Sequence, residues 1–197
     1  SPLLANLYLN PLDHLMAKQG RQMVRYADDF VILCQSEPEA QAVLEQARQW
    51  TQAAGLTLHP TKTRIVDASQ PGGFDFLGYH FEREYRWPRP KSIQKLKTAL
   101  RPKTRRTSGR CLPAIIADIN RTLQGWFGYF RHSHYTTFES IDKWVRMRLR
   151  SILRKRQGLH GISRGYDHFR WPNAFFRAHG LFSLVEAHRA LVQSSSR

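Results

Sequence analysis

The chain has 197 residues, with 31 Lys+Arg against 15 Asp+Glu, a formal net charge of +16 and 41% apolar residues. Five Trp, seven Tyr and eleven Phe supply enough apolar surface for a core, which excludes wholesale disorder. No apolar run is long enough to cross a bilayer, and two Cys are too few for a disulfide framework, so the sequence reads as soluble and cytoplasmic.

Ser1 and Pro2 form an N-cap and first-turn pair, after which Leu3, Leu4, Leu7, Tyr8, Leu12, Leu15 and Met16 recur at helical spacing. Pro11 is expected to kink or split this helix. Two β-prone runs, 22–26 and 30–35, flank Ala27-Asp28-Asp29 in a tight hairpin whose tip carries adjacent carboxylates. Ser36-Glu37-Pro38-Glu39 has the capping-box pattern and starts a helix through Ala40, Val43, Leu44, Ala47 and Trp50, which Gly55 ends. Segments 56–58, 63–66 and 74–81 read as further strands. The first part is therefore α+β, a helix packed on a mostly antiparallel sheet.

Charge divides the chain after Pro90. Residues 1–90 carry 9 Lys+Arg against 10 Asp+Glu, and residues 91–197 carry 22 against 5, which implies two domains with different partners. The second is all-α. Ile93, Leu96 and Leu100 mark a short basic helix, 102–109 is a charged linker, and 112–130 is helical through Ile115, Ile116, Ile119, Leu123, Trp126 and Phe127. A third helix, 138–157, has the stripe Ile141, Trp144, Val145, Leu149, Ile152 and Leu153, while Lys143, Arg146, Arg150 and Arg154 fall on another face. The last forty residues are less regular and the Ser-Ser-Ser-Arg tail reads as disordered. Cys34 and Cys111 read as buried or half-buried residues, and His132-Ser133-His134 lacks metal spacing.

Two consecutive aspartates at a hairpin tip repel unless a cation joins them, and Mg²⁺ suits hard carboxylate oxygens together with substrate phosphates. The alternative is a plain polar turn. The sequence around the pair bears on that choice. Tyr26-Ala27-Asp28-Asp29 matches the Tyr-x-Asp-Asp motif of reverse transcriptases, between two apolar strands as that motif requires. Residues 1–9, SPLLANLYL, resemble the helix before the catalytic hairpin in group II intron reverse transcriptases. Residues 55–63, GLTLHPTKT, are similar to the next block of that family, and 74–81, FDFLGYHF, to the block near the primer strand. Residues 119–130, INRTLQGWFGYF, look like its maturase-specific region, domain X.

The resemblance implies a partial reverse-transcriptase palm followed by an all-α thumb and domain X. It implies that Asp28 and Asp29 are catalytic metal ligands for Mg²⁺. Lys62 would assist the leaving pyrophosphate, with a strand-end lysine as the alternative, and Tyr26, Phe76, Leu77 and Gly78 would position primer and template, with sheet core as the alternative for the last three. The family needs a further aspartate on an earlier strand; Asp13 lies in the wrong context for it. The sequence is therefore expected to be the C-terminal portion of a longer enzyme, without fingers and inactive in polymerisation alone.

The second domain holds the expected RNA contacts. Lys95, Lys97, Arg101, Lys103, Arg105, Arg106 and Arg110 precede the domain X-like block, which itself carries Arg121 and is followed by Arg131. Lys143, Arg146, Arg148, Arg150, Arg154, Lys155 and Arg156 crowd the third helix. Such arrays bind phosphates, although a solvated basic face is the plainer reading. Trp126, Phe127 and Phe130 are expected in the core, leaving Tyr129, His132 and His134 to contact RNA. The implied partners are group II intron RNA and, in the complete enzyme, a DNA target or primer, with no membrane and a nucleoid location in a bacterium. The rival readings are a non-catalytic RNA-binding splicing factor with vestigial aspartates, a different class of reverse transcriptase, and a decayed remnant.

Overall fold

The computed structural model describes residues 2–195. The chain divides into two compact units, one up to Phe76 and one from Leu77. The first runs α1 (Pro2–Lys18), β1 (Gln22–Tyr26), β2 (Asp29–Leu33), α2 (Glu37–Ala53) and β3 (Phe74–Phe76). The N-cap expected at Ser1 lies outside the described residues. Helix α1 continues through Pro11 without a split and buries Leu9, Leu12 and Met16, of which the last two join Val43 of α2 in a small core, against Met23, Phe30, Ile32 and Trp50. Leu3, Leu4 and Leu7 of the expected stripe are exposed.

Helix α2 starts as its sequence dictates. The Ser36 hydroxyl accepts from the Glu39 N–H at 3.4 Å, while the Glu39 carboxylate accepts from the Gln35 N–H at 2.8 Å, one residue earlier than the usual reciprocal pair. Gly55 takes φ 72° and ends the helix. Segments 56–58 and 63–66 are not strands. A strand of three or four residues is held only by ladder partners, and neither segment has one among the described residues; Leu56 and Ile65 are left exposed. The strand expected over 74–81 is broken, because Leu77 and Gly78 both adopt left-handed backbone, with φ 46° and 82°.

The second unit begins with an antiparallel hairpin, β4 (Tyr79–Glu82) with β5 (Tyr85–Pro88); β4 falls largely within the strand expected over 74–81, its return strand β5 is not among the expected strands, and the chain from Pro90 on is helical as expected. Helices α3 (Pro90–Lys103), α4 (Leu112–Phe130) and α5 (Tyr135–Arg156) follow, and Pro102 lies within α3 instead of opening the linker. Their apolar stripes meet in one large core that includes Leu96, Leu100, Ile115, Ile119, Leu123, Phe138, Ile141, Val145, Leu149 and Ile152. The region read as irregular forms α6 (Gly165–Arg170), α7 (Asn173–Ala178) and α8 (Leu184–Ser195), which add Trp171, Phe176 and Leu184 to that core. Ser194 and Ser195 thus end a helix; the rest of the expected disordered tail lies outside the described residues. Cys34 is half-buried, whereas Cys111 is exposed as the residue before α4. Among the described residues no helix is long and apolar enough to cross a membrane.

Candidate functional site

The hairpin of the first unit is closed by the shortest practical connection. Tyr26 pairs with Asp29, which leaves Ala27 and Asp28 as the loop. Ala27 takes φ 55°, a left-handed conformation that costs a residue with a Cβ about 1–2 kcal/mol. One guanidinium grips the turn. Arg25 Nη1 donates to the Ala27 carbonyl at 2.8 Å and to Asn6 Oδ1 at 3.0 Å, and Arg25 Nε donates to Asp13 Oδ1 at 2.8 Å. Asn6 and Asp13 belong to α1, so the helix fixes the tip through a single side chain. The Asp13 hydrogen bond outweighs burial and holds Arg25 above its ordinary pKa.

Asp28 and Asp29 are exposed at this tip, and their carboxylates make no hydrogen bond or ion pair among the described residues. A pair of unpartnered hard-oxygen donors held on a fixed turn fits a divalent cation as part of a ligand set. No group of three or more His, Cys, Asp or Glu able to hold a metal occurs among the described residues, so the remaining positions fall to water, substrate phosphate or a further carboxylate. Tyr26 is exposed on β1. Lys62 sits exposed in the turn 60–62, not at a strand end, and no hydrogen bond or ion pair joins it to either aspartate.

Phe76 is half-buried at the end of the first unit. In the second unit the Leu77-Gly78 turn is clamped by its own helices. Tyr129 Oη donates to the Leu77 carbonyl at 2.7 Å, and Ser92 Oγ and the Arg89 N–H donate to the Gly78 carbonyl at 3.1 and 2.9 Å. A Cβ at Gly78 would meet Ser92 Oγ at 3.5 Å and Phe130 at 3.6 Å, ordinary contacts, so glycine is demanded here by its φ and not by space. Tyr129 remains half exposed, yet its hydroxyl is committed to this turn. Phe130 is buried, and Trp126 and Phe127 pack against the core.

The cations of the second unit fall into two sets. Three members of the row on α5, Arg146, Arg150 and Arg154, form an inward seam, while Lys143 is exposed. Arg150 is 2% exposed, donates to the Trp171 carbonyl at 2.9 Å and to Asn173 Oδ1 at 2.8 Å, and lies over the Phe176 ring. Burial lowers its pKa. Arg146 faces Asp142 at 3.7 Å, and Arg154 faces Asp167 at 3.2 Å. Asp142 also accepts from the Ser183 hydroxyl at 2.7 Å and the Leu184 N–H at 3.1 Å, capping α8. Arg150 is therefore not an RNA contact, and Arg146 and Arg154 are already committed. Arg148 is half-buried against Thr104 at 2.6 Å, and Lys103 pairs with Asp118 at 2.8 Å.

The second set faces outward. Lys95, Arg101, Arg105, Arg106, Arg110, Arg121, Arg131, Lys143, Lys155 and Arg156 are exposed, while Lys97 is half-buried over Trp144. The linker is fastened to the end of α5, since Arg156 donates to the Arg110 carbonyl and Arg106 Nη1 to the Gly161 carbonyl at 2.6 Å. Arg106, Arg110 and Arg156 are thereby gathered, and Arg105 and Lys155, their chain neighbours, are exposed. The nearest carboxylate to this cluster is Asp118, which hydrogen bonds from Arg110 and Lys103 hold down at a pKa of about 2.

Two family descriptions match the chain, in order and without overlap. Residues 1–81 match reverse transcriptase (RNA-dependent DNA polymerase), and residues 93–166 match the group II intron, maturase-specific domain. A search of curated proteins returned no match. The first span contains the Asp28-Asp29 hairpin, Lys62 and the Leu77-Gly78 turn; the second contains the linker, α4, α5 and the gathered arginines.

Proposed function

Because the chain belongs to the group II intron reverse transcriptase/maturase family, we propose that its first unit serves Mg²⁺-dependent, RNA-directed DNA synthesis and its second grips intron RNA to assist splicing. The observation that carries this reading is the pair of free carboxylates on a turn held under strain, followed on the same chain by a surface of gathered, exposed cations. Bound Mg²⁺ would stabilise the attacking and leaving oxygens of phosphoryl transfer. The chain's own part is to hold Asp28 and Asp29 toward it, with Arg25 and Asp13 fixing the turn against the movement that strain favours. Tyr26, Phe76, Leu77 and Gly78 are proposed to line the path of primer and template, and Lys62 to meet the leaving phosphate.

Two carboxylates do not make a complete two-metal site, so synthesis is proposed to require fingers and a further aspartate from a preceding segment. The RNA grip does not share that requirement. Here a phosphate-binding surface built from Arg105, Arg106, Arg110, Lys155 and Arg156 acts without the metal site.

Both halves are tested together. The 197-residue chain is expected to bind group II intron RNA more tightly than a structured RNA of equal length, and D28A/D29A is expected to leave that binding unchanged. In a protein completed with a preceding palm and fingers, the same pair of substitutions should abolish primer extension. Extension that survives them would overturn the catalytic assignment, and loss of intron binding on their introduction would overturn the separation of roles.

A further inference from the structure

A cleft of about 490 Å³ opens in the second unit at the end of β4 opposite the Leu77-Gly78 turn, within the ~300–1,000 Å³ usual for ligand pockets. Its lip is another strained connection. Glu82 pairs with Tyr85, leaving Arg83 and Glu84 as a two-residue loop, and Arg83 takes φ 54° where glycine or asparagine is the usual choice. The Arg83 guanidinium makes no hydrogen bond or ion pair among the described residues. A strained position occupied by a free cation points to a ligand, not to packing.

The walls are rigid. The His134 N–H donates to the Arg86 carbonyl at 2.9 Å, and Arg86 Nε donates to the His132 carbonyl at 2.8 Å, which ties the hairpin to the turn before α5. On this frame runs a line of rings. Tyr85 meets His134 edge-on at 5.1 Å, His134 lies against Tyr135 at 4.5 Å, and Trp87 backs Tyr85 at 5.7 Å. The two outer rings, Tyr85 and Tyr135, are left 51% and 60% exposed. Large rings fixed in place with open faces form a stacking platform. His188 of α8 completes the lining. Burial lowers the pKa of His132 and of His188, favouring neutral rings, and His132 Nε2 is already taken by Arg131 Nε at 3.3 Å. Arg83 and Arg86 supply positive charge, and Glu84 is the one carboxylate among the described lining residues.

Open aromatic faces beside a free arginine match the base and the phosphate of an unpaired nucleotide. A duplex hides its base faces, and an apolar ligand has no use for the arginines. We infer that this cleft takes one unpaired nucleotide of a single-stranded RNA segment, its base stacked on Tyr85 or Tyr135 and its phosphate beside Arg83. The inference rests on the reading that the second unit binds RNA, and adds where a base is engaged; it uses none of the cations gathered around the linker.

The test measures affinity of the full chain for a labelled single-stranded RNA and for a fully paired RNA hairpin, over a range of salt. Y85A/Y135A is expected to weaken single-strand binding by about tenfold or more, with the salt dependence and the hairpin affinity unchanged, since stacking releases no counterions. Y85F/Y135F should restore it. R83Q should lower the salt slope for the single strand by about one. Both tyrosines are exposed, so the circular dichroism spectrum is expected to stay native. Unchanged single-strand affinity in the alanine pair, or an equal loss on both RNAs, would overturn the stacking site while leaving RNA binding by the unit intact. A free mononucleotide that binds as tightly as the strand would overturn the strand as ligand. Absence of RNA binding by the unsubstituted chain would overturn the proposed function along with it.

Discussion

The hairpin tip of the first unit and the helices after Pro90 treat their carboxylates in opposite ways. In the first, Asp28 and Asp29 stand exposed and unpartnered on a turn that is itself strained. In the second, all five acidic residues after Pro90 have cationic partners: Asp118 with Lys103 and Arg110, Glu139 with Lys143, Asp142 with Arg146, Asp167 with Arg154 and Glu186 with Arg177. Carboxylates kept free are available to a ligand cation, whereas paired ones have been used to build the fold. The helices after Pro90 thus spend their few acids on partners within the fold, and the cations left over make the surface.

This contrast is sharpest within α5, and it sets the largest expected effect. Neutralising the outward set in R105Q/R106Q/K155Q/R156Q should lower the slope of log affinity against log salt by about three, and cut intron RNA affinity at least a hundredfold near physiological salt. Replacing the inward pair in R146Q/R154Q should leave the slope unchanged and instead destabilise the unit. Salt-dependent binding isotherms and denaturant unfolding distinguish the two. If the inward pair changed the slope as the outward set does, the division into seam and surface would fail.

Next in size is the buried end of that seam. R150A removes a stem packed on Phe176 and strands the Trp171 carbonyl and Asn173 amide oxygen that its guanidinium satisfies, at a cost of about 3 kcal/mol. Denaturant unfolding of the second unit should show the loss. A change within 0.5 kcal/mol would mean that the interior does not depend on this cation.

Arg150 also shows where sequence reading stops. The α4 boundaries and the apolar stripe of α5 are legible because helical spacing and core burial coincide there. The row Lys143, Arg146, Arg150, Arg154 has the same period, and charge alone assigns it to solvent. What reverses this for Arg146, Arg150 and Arg154, though not for Lys143, is α6 to α8, whose short, Gly-interrupted segments carry little periodicity of their own yet cover that side of α5. The hairpin tip is a different case. Its Tyr-x-Asp-Asp pattern locates the carboxylates without any structure, but Arg25 reads only as an alternating polar residue of β1, because its partners Asn6 and Asp13 lie a helix away. The return strand β5 escapes notice since Arg83 occupies a position where a glycine or asparagine would have signalled a turn.

The smallest effect returns to the first unit and asks whether its turn is held against strain or rests at ease. Ala27 and Arg83 share left-handed backbone on two-residue turns, but only Ala27 has its carbonyl gripped by a neighbouring guanidinium. A27G removes the Cβ conflict, worth about 1–2 kcal/mol, and adds chain entropy to the unfolded state, worth about 0.4–1 kcal/mol in the other direction. The net expectation is a first unit more stable by about 0.5–1 kcal/mol, read from denaturant unfolding followed at Trp50 fluorescence. R25Q in the A27G background should then cost less than R25Q in the parent, because a glycine turn keeps its shape without the clamp. Equal costs in the two backgrounds would mean that Arg25 holds α1 to the sheet and does nothing for the tip, leaving the exposure of Asp28 and Asp29 to the turn's own geometry.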